Sequence, residues 1–242
     1  MTSISIVIPA YNEEARLPST LSAILSYAAA RGWPDCEVLV VNDGSADSTA
    51  AVAAQFQAAH PEIRLLQNPG NRGKGYSVRH GMLEARGEWV LFTDADLSAP
   101  IEELDKLFQT ARERQAAVVI GSRALDRSLI ALHQSWFRET AGRIFNLLMR
   151  LATGLPFADT QCGFKLFQGG AAREVFRRQR IERWGFDAEV LFIARKLGYH
   201  IVEVPVRWSH SAGTKVSMFR DSLNMFLDLL RIRWNHLRGL YR

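Results

Sequence analysis

Two aspartates, one residue apart, close a short apolar segment of the chain. Residues 91–97 read LFTDADL, with Asp94 and Asp96 at the end of the apolar run. In an extended chain, side chains two positions apart point to the same face, so the two carboxylates are expected to lie side by side. Such a pair suits a hard divalent cation that also holds phosphate oxygens. The alternative is a turn that caps the next helix, since a serine and a proline precede that helical pattern.

Five short apolar runs alternate with helical patterns in the first half of the chain. Runs rich in Val, Ile and Leu are typical of strands buried on both faces, and their alternation with helices predicts an α/β fold with a mostly parallel, Rossmann-like sheet. The runs are SISIVIPA, CEVLVVND, IRLLQN, EWVLFTDAD and AAVVIGSR. Polar segments follow the first four, at 9–13, 42–45, 71–75 and 94–96. Because ligands bind at the carboxyl ends of parallel strands, we expect these segments to meet in one crevice.

Two nucleotide-binding motifs are missing where they would be expected. PAYNEE follows the first run in place of the GxGxxG of dinucleotide-binding folds, and GNRGKGYS does not match the phosphate loop of ATPases. A nicotinamide-dependent enzyme and an ATPase are therefore disfavoured. Glycines beside Arg72 and Lys74, just before a helical pattern, still provide N–H groups and cations suited to a diphosphate. The alternative for this segment is an ordinary flexible connection.

Composition and charge bound the remaining possibilities. The 242 residues are 48 % apolar, which is enough for one large α/β domain or two small ones. Residues 1–120 carry 10 basic and 15 acidic side chains, whereas residues 121–242 carry 20 and 10. The basic excess of the second half indicates an anionic partner, either nucleic acid or anionic lipid. The two cysteines have no metal-ligand spacing, as expected of a reduced cytosolic protein without disulfides.

Seven motifs in order carry a family resemblance that covers roughly residues 3–220. They are VIPAYNEEARLP, VNDGSADST, NRGKGYSVRHGM, FTDADLS, GSR, DTQCGFKLF and ERWGFDAE. This succession resembles the family 2 glycosyltransferases of GT-A fold, and within them most closely the dolichyl-phosphate or polyprenyl-phosphate β-glucosyltransferases. The related dolichyl-phosphate mannose synthases show weaker likeness in the last two motifs.

The resemblance implies an inverting transfer, in which a phosphate oxygen of polyprenyl or dolichyl phosphate attacks the anomeric carbon of a nucleotide sugar. The implied donor is UDP-glucose, with GDP-mannose as the alternative. Asp94 and Asp96 would bind Mg²⁺ or Mn²⁺ at the diphosphate, and with Asp159 they form the expected catalytic set. The residues expected around the nucleotide sugar are Pro9, Ala10, Tyr11, Glu13, Asp43, Arg72, Lys74, Asp94 and Ala95.

The resemblance also implies an acceptor side. Its expected phosphate-binding residues are Arg123, Arg138 and Lys215, and its expected sugar- or acceptor-positioning residues are Gln161, Trp184 and Asp187. A guanidinium suits phosphate because its fork donates two parallel hydrogen bonds. Asp159 is expected to position acceptor or sugar and only secondarily to act as a base, because a phosphate monoester is already anionic at neutral pH. A structural role in loop ordering is the alternative for Asp159.

Two amphipathic stretches, residues 133–152 and 219–242, place apolar side chains at helical spacing between arginines. Such stripes pack against a core or lie in a bilayer interface. Arginines, Trp136, Trp234 and the implied lipid acceptor favour the interface. No segment is long and apolar enough to span a membrane, and the N-terminus lacks a signal-peptide pattern. We therefore expect a catalytic domain over residues 1–218, peripheral on the cytoplasmic face of a membrane.

Two other classes compete with this interpretation. A nucleotidyltransferase that makes nucleotide sugars also uses paired acids, but it would usually begin with a glycine-rich loop and a lysine, which VIPAYNEE lacks. A nucleic-acid-binding module would fit the sequence pI of about 9.5. That class leaves the paired aspartates and the converging strand ends without a function, so no nucleic acid partner is expected.

Overall fold

The computed structural model describes residues 3–33, 35–132, 147, 149–209 and 218–242, without the side chains of 132 and 218–223. Its strands are β1 (Ile4–Ala10), β2 (Cys36–Asn42), β3 (Ile63–Gln67), β4 (Trp89–Thr93), β5 (Val118–Ser122), β6 (Ile130–Leu132), β7 (Phe164–Gln168), β8 (Ile201–Pro205) and β9 (Trp208–Ser209). Its helices are α1 (Leu17–Ala30), α2 (Thr49–Ala59), α3 (Lys74–Glu84), α4 (Leu104–Glu113), α5 (Gly169–Arg178), α6 (Phe186–Lys196) and α7 (Met218–Leu237). The five predicted strands correspond to β1–β5, and the predicted alternation with helices is confirmed.

The main sheet has the strand order β3-β2-β1-β4-β7-β5-β8. All neighbouring pairs are parallel except those of β7, which runs antiparallel to both β4 and β5. The predicted mostly parallel α/β sheet is therefore confirmed, with one reversed strand near its centre. β6 and β9 form a separate two-stranded ladder.

Each face of the sheet packs against its own hydrophobic core. Ile6 and Ile8 of β1 join the core that contains Leu21 of α1, whereas Val7 joins the core that contains Val78 of α3. Because side chains alternate along a strand and both faces are covered, β1 must be apolar at nearly every position. This arrangement leaves the carboxyl ends of the strands as the polar edge of the sheet.

The last helix ends earlier than the sequence pattern suggests. α7 stops at Leu237, whereas the amphipathic stretch was expected to run to residue 242. Gly239 adopts φ 72°, a left-handed conformation that terminates helices. The chain then folds back, and the buried Tyr241 hydroxyl donates to Glu189 Oε1 at 2.6 Å. Of the other predicted amphipathic helix, over residues 133–152, only 147 and 149–152 fall within the described residues, and these are helical.

Candidate active site

The loops after β1 and β2 are tied together at the polar edge of the sheet. The Asn12 backbone N–H donates to Ser45 Oγ at 3.0 Å, and the Glu13 N–H donates to Thr49 Oγ1 at 2.7 Å. Asn12 has a φ of 53°, a left-handed conformation that asparagine tolerates better than most residues. The turn leaves Tyr11 exposed at the edge, next to the buried Ala10. The carboxyl end of β1 thus carries Pro9, Ala10, Tyr11 and Glu13. Their expected contact with a nucleotide sugar stays a prediction.

Asp43, at the carboxyl end of β2, organises the loop that precedes α3. Its buried carboxylate accepts hydrogen bonds from Asn68 Nδ2 at 2.8 Å, from the Arg72 N–H at 2.9 Å and from the Gly73 N–H at 2.8 Å. These bonds give Asp43 a clear structural role beneath the loop. Its expected contact with the base or ribose of a nucleotide stays a prediction.

Lys74 and the paired aspartates meet at the carboxyl end of β4. Lys74 Nζ lies 2.6 Å from Asp94 Oδ1. Asp96 Oδ1 accepts the Ser98 N–H at 3.0 Å, which turns the chain immediately after the motif. Between the two aspartates, the carbonyl of the buried Ala95 accepts from Thr20 Oγ1 at 2.7 Å. The motif therefore shapes a turn, and cation binding by the two aspartates stays a prediction.

The Lys74 ammonium lies between two aromatic rings, 5.3 Å from the centroid of Phe92 and 5.4 Å from that of Trp184. Burial lowers the pKa of Lys74, but the nearby Asp94 and Asp187 more than offset this, and the pKa is raised. Lys74 is therefore a fixed ammonium at neutral pH. A fixed cation beside a carboxylate pair is suited to a diphosphate.

Arg72, the other expected cation of this loop, lies against a different set of partners. Its guanidinium pairs with Glu182 at 2.9 Å and lies over the Tyr76 ring, 4.7 Å from the centroid. This pair joins the loop to the segment that carries Trp184. The expected contact of Arg72 with a nucleotide stays a prediction.

Arg123 and Asp159 form a bidentate pair beyond β5. Arg123 Nε and Nη2 donate to the two Asp159 carboxylate oxygens at 2.6 and 2.9 Å. Asp159 is itself held in place, because its backbone N–H donates to Glu203 Oε1 at 2.7 Å. Burial raises the pKa of Asp159, but the Arg123 charge and hydrogen bonds outweigh it and lower the pKa to about 2. So acidic a carboxyl is a weak base, which disfavours the base role; the bonds of Asp159 also fit the alternative of loop ordering.

This pair predicts a specific acid dependence of stability. The pKa of Asp159 falls from 3.8 to about 2 on folding, so ionised Asp159 stabilises the protein above pH 3.8, by about 2 kcal/mol. The contribution is lost as the pH falls from about 4 toward 2. Asp159→Asn should therefore destabilise the protein at pH 6 and only about half as much at pH 3, measured by urea unfolding. An equal loss of unfolding free energy at both pH values would contradict the pairing. The matched control is Asp126→Asn, since Asp126 is exposed.

Of the residues expected to position the sugar or acceptor, some lie at the site and others lie in the interior. Gln161 Nε2 is buried, with no hydrogen-bond partner within the part of the chain that the structure describes. Trp184 is half-buried beside Lys74, as noted above. Asp187 is buried and contacts Lys165, so the structure places it beneath the site rather than on its surface. Arg138 and Lys215, the other expected phosphate-binding residues, lie outside the described residues.

Asp94 and Asp96 fit Mg²⁺ or Mn²⁺, because cations of this kind are commonly held by one or two carboxylates with phosphate oxygens and water completing the shell. The described residues contain no group of three or more His, Cys, Asp or Glu side chains placed to hold a metal. Nearby Cys162 is buried, and burial raises its pKa to about 12. It is therefore a protonated thiol at neutral pH and a poor nucleophile.

Two residues of this site were not predicted from the sequence. Gly163 follows Cys162, and a Cβ built on it would lie 2.0 Å from Asp94 Oδ2, so the aspartate needs a glycine there. Lys165 is fully buried on β7 and contacts Asp187. The lysine within the apolar run FKLF could have indicated a buried ion pair, since a buried ammonium requires a charged or hydrogen-bonding partner.

The fold of this chain is that of solved GT-A glycosyltransferases. The solved structure of mannosyl-3-phosphoglycerate synthase from Rubrobacter xylanophilus matches with a TM-score of 0.69 and 20 % identity, over 98 % of this chain and 74 % of that one. The mannosyltransferase PcManGT from Pyrobaculum calidifontis, solved with GDP-Man and Mn²⁺, matches with a TM-score of 0.65 and 18 % identity. That match spans 98 % of this chain and 64 % of the mannosyltransferase.

The sequence comparisons then give the family. The model of glycosyl transferase family 2 matches residues 5–176. The dolichyl-phosphate beta-glucosyltransferase of Drosophila melanogaster is 41 % identical, over 99 % of this chain and 77 % of the relative. The enzymes of the same name from Homo sapiens and Saccharomyces cerevisiae are 38 % and 33 % identical, over 99 % of this chain and 77 % and 76 % of theirs. The chain belongs to glycosyl transferase family 2, and it is a glycosyltransferase.

Proposed function

We propose that this enzyme transfers glucose from UDP-glucose to dolichyl or another polyprenyl phosphate, with inversion at the anomeric carbon. The observation that carries the proposal is the cluster of Lys74, Asp94 and Asp96 at the carboxyl edge of the sheet. The relatives described above, at 33 to 41 % identity, are dolichyl-phosphate beta-glucosyltransferases. Mg²⁺ or Mn²⁺ held by the two aspartates would supply Lewis-acid stabilisation of the leaving diphosphate.

Charged side chains at this edge of the sheet are placed to act on the leaving diphosphate and on the acceptor phosphate. The Lys74 ammonium stabilises negative charge that develops on the leaving diphosphate. Arg123 offers five N–H donors, of which Asp159 takes two, so donors remain for the acceptor phosphate. The acceptor is already anionic at neutral pH and needs no strong base. These features support a single displacement without a covalent enzyme intermediate.

The donor and acceptor can be tested together. Purified enzyme would be incubated with radiolabelled UDP-glucose, UDP-galactose, UDP-N-acetylglucosamine or GDP-mannose and with polyprenyl phosphate, followed by organic extraction. We expect label in the organic phase from UDP-glucose and far less from the others. Preferential transfer from GDP-mannose would instead support the mannosyltransferase alternative, and label that stays in the aqueous phase with every donor would contradict the proposal.

We also propose that α7 binds the surface of a membrane. The helix buries Leu229 and Ile232 against the domain. A different arc of its surface, about 100° wide, carries the exposed apolar side chains Phe226, Leu227, Leu230, Trp234 and Leu237. Exposed arginines lie beside this arc at 231, 233 and 238. An apolar arc with basic flanks is typical of interfacial helices. No helix within the described residues is long and apolar enough to span a membrane.

Removal of two exposed aromatics from this arc should weaken membrane binding. Trp234→Ala with Phe226→Ala removes apolar surface that an interfacial helix would bury, at about 1.5 to 3 kcal/mol for each full burial. We expect at least about tenfold weaker sedimentation with vesicles rich in anionic lipid, and partial release of wild type by salt. Transfer to a short, water-soluble polyprenyl phosphate should persist.

The matched control is Asn224→Ala, at an exposed polar position on the same helix. It should bind vesicles as wild type does. If the aromatic double variant unfolds, or binds vesicles as tightly as wild type, the assignment of this arc to a membrane surface is wrong.

A further inference from the structure

Two lysine–aspartate contacts connect the interior of the sheet to the candidate active site. Lys165 lies on β7, between β4 and β5, and its side chain is fully buried. Its ammonium contacts Asp187 in the first turn of α6 and also donates to the Cys162 carbonyl. At the surface end, Lys74 contacts Asp94. The charges thus alternate from the core outward, as Lys165, Asp187, Lys74 and Asp94.

The Phe92 ring lies close to both lysines, Lys74 and Lys165. The Lys74 ammonium lies 5.3 Å from the centroid of its ring, and the Lys165 ammonium lies 5.6 Å from the same centroid. The Asp187 carboxylate acts on both cations, since it contacts Lys165 and attracts Lys74 electrostatically. Two ammonium groups around one ring repel each other, and Asp187 compensates that repulsion. The charged form of Lys74 is therefore stabilised by Asp187 as well as by Asp94.

Stability alone is a weak reason for this buried pair. Removing two ions from water costs several kcal/mol for each ion, and well-packed apolar replacements are often as stable. The core on this face of the sheet consists of apolar residues such as Phe92 and Phe186, so an apolar pair would suit the fold. The charges instead connect to the site, because Lys165 contacts Asp187 and the charge of Asp187 also acts on Lys74.

We propose that Lys165 is a positioning residue for the glycosyl transfer, acting through Asp187 to hold the Lys74 ammonium where it meets the donor diphosphate. The proposal rests on the proposed function, since it assumes that Lys74 binds the diphosphate. Lys165 does not reach the substrate; removing its charge leaves Asp187 buried without its partner. A buried carboxylate without a charged partner takes up a proton, so Asp187 no longer attracts Lys74 and the lysine loses its fixed position.

A thermodynamic cycle on nucleotide affinity tests this coupling without any turnover. One arm is Lys74→Met, and the other is the apolar pair Lys165→Met with Asp187→Leu, chosen so that no buried charge is left alone. Calorimetry would measure UDP affinity with EDTA present, for wild type, both arms and the triple variant. GDP replaces UDP if wild type binds GDP instead, an outcome that corrects the proposed donor and leaves this test intact.

Each arm should weaken UDP binding by about tenfold or more, as expected for loss of one charge-assisted contact with phosphate. The triple variant should bind no more than about twofold more weakly than Lys74→Met alone, because both arms remove the same contact. Multiplied losses in the triple variant, or unchanged affinity in the apolar pair, would overturn the proposal.

Two further variants keep the test decisive. Glu37→Gln with Arg64→Met removes another ion pair, 2.5 Å long, at the opposite edge of the sheet, and should leave UDP affinity unchanged.

If the apolar pair does not fold, Asp187→Asn replaces it, because the amide keeps the size of the side chain and removes its charge. That variant should weaken UDP binding as Lys74→Met does and leave the KM for the lipid acceptor unchanged. Unweakened UDP binding by folded Asp187→Asn would equally overturn the proposal.

Discussion

Asp96→Asn is expected to reduce glycosyl transfer by about 10²-fold or more while the enzyme stays folded. The substitution removes one carboxylate charge from the expected cation site, and loss of a single group that stabilises charge in the transition state typically costs this much. The local turn should survive, because an asparagine Oδ1 can still accept the Ser98 N–H. Asp96 is half-buried at the edge of the sheet, so the core is untouched.

The measurement compares initial rates of label transfer to polyprenyl phosphate. Asp126→Asn is the matched control, since Asp126 is an exposed aspartate that also accepts a backbone N–H two residues on, and it should retain wild-type rates. EDTA should abolish wild-type transfer, and added Mg²⁺ or Mn²⁺ should restore it. Full activity in EDTA, or in Asp96→Asn, would contradict the assignment of the cation site.

Gly163→Ala should be nearly as damaging, although it adds one methyl group and removes no charge. The new Cβ would lie 2.0 Å from Asp94 Oδ2 and 2.4 Å from Asp94 Cγ, far inside van der Waals contact. The aspartate side chain must therefore turn away, which separates it from Lys74 and from the expected cation. Because Asp94 is half-buried at the edge of the sheet and not in the core, we expect the fold to survive and transfer to fall by about 10²-fold.

The control for this methyl group is Gly170→Ala. Gly170 lies in α5, and a Cβ there would meet no heavy atom within 4 Å. Thermal unfolding and the stabilisation given by Mn²⁺ would be measured for both variants. Gly163→Ala should unfold near the wild-type temperature but lose the Mn²⁺-dependent shift. Wild-type turnover by Gly163→Ala would show that Asp94 is not needed in the position described.

The sequence predicted the parallel part of the sheet well because local and tertiary preferences agree there. Strands such as β1 and β2 are apolar throughout since both of their faces are covered, and the periodicity shows this directly. β7 was recognised only as part of a motif. Its run FKLFQ contains Lys165, and it pairs with β4 and β5 in the antiparallel sense, which the order of elements does not indicate.

Within the candidate site, residue types were easier to predict than their partners. The meeting of Lys74 with Asp94 follows from the rule that ligands bind at the carboxyl ends of parallel strands. The pairing of Arg123 with Asp159 joins residues 36 positions apart and could not be read from spacing. The need for Gly163 also depends on close packing between two loops, because only the folded chain brings its Cα against Asp94.

The linkage and anomeric configuration of the lipid-linked product decide whether this enzyme carries out the proposed transfer. Wild-type enzyme would be incubated with UDP-[¹³C]glucose and polyprenyl phosphate, and the extracted lipid would be analysed by NMR at the anomeric carbon. We expect glucose bonded to the lipid phosphate in the β configuration, because a single displacement inverts the α linkage of the donor. An α-linked glucosyl phosphate, or glucose attached to any group other than the lipid phosphate, would contradict it.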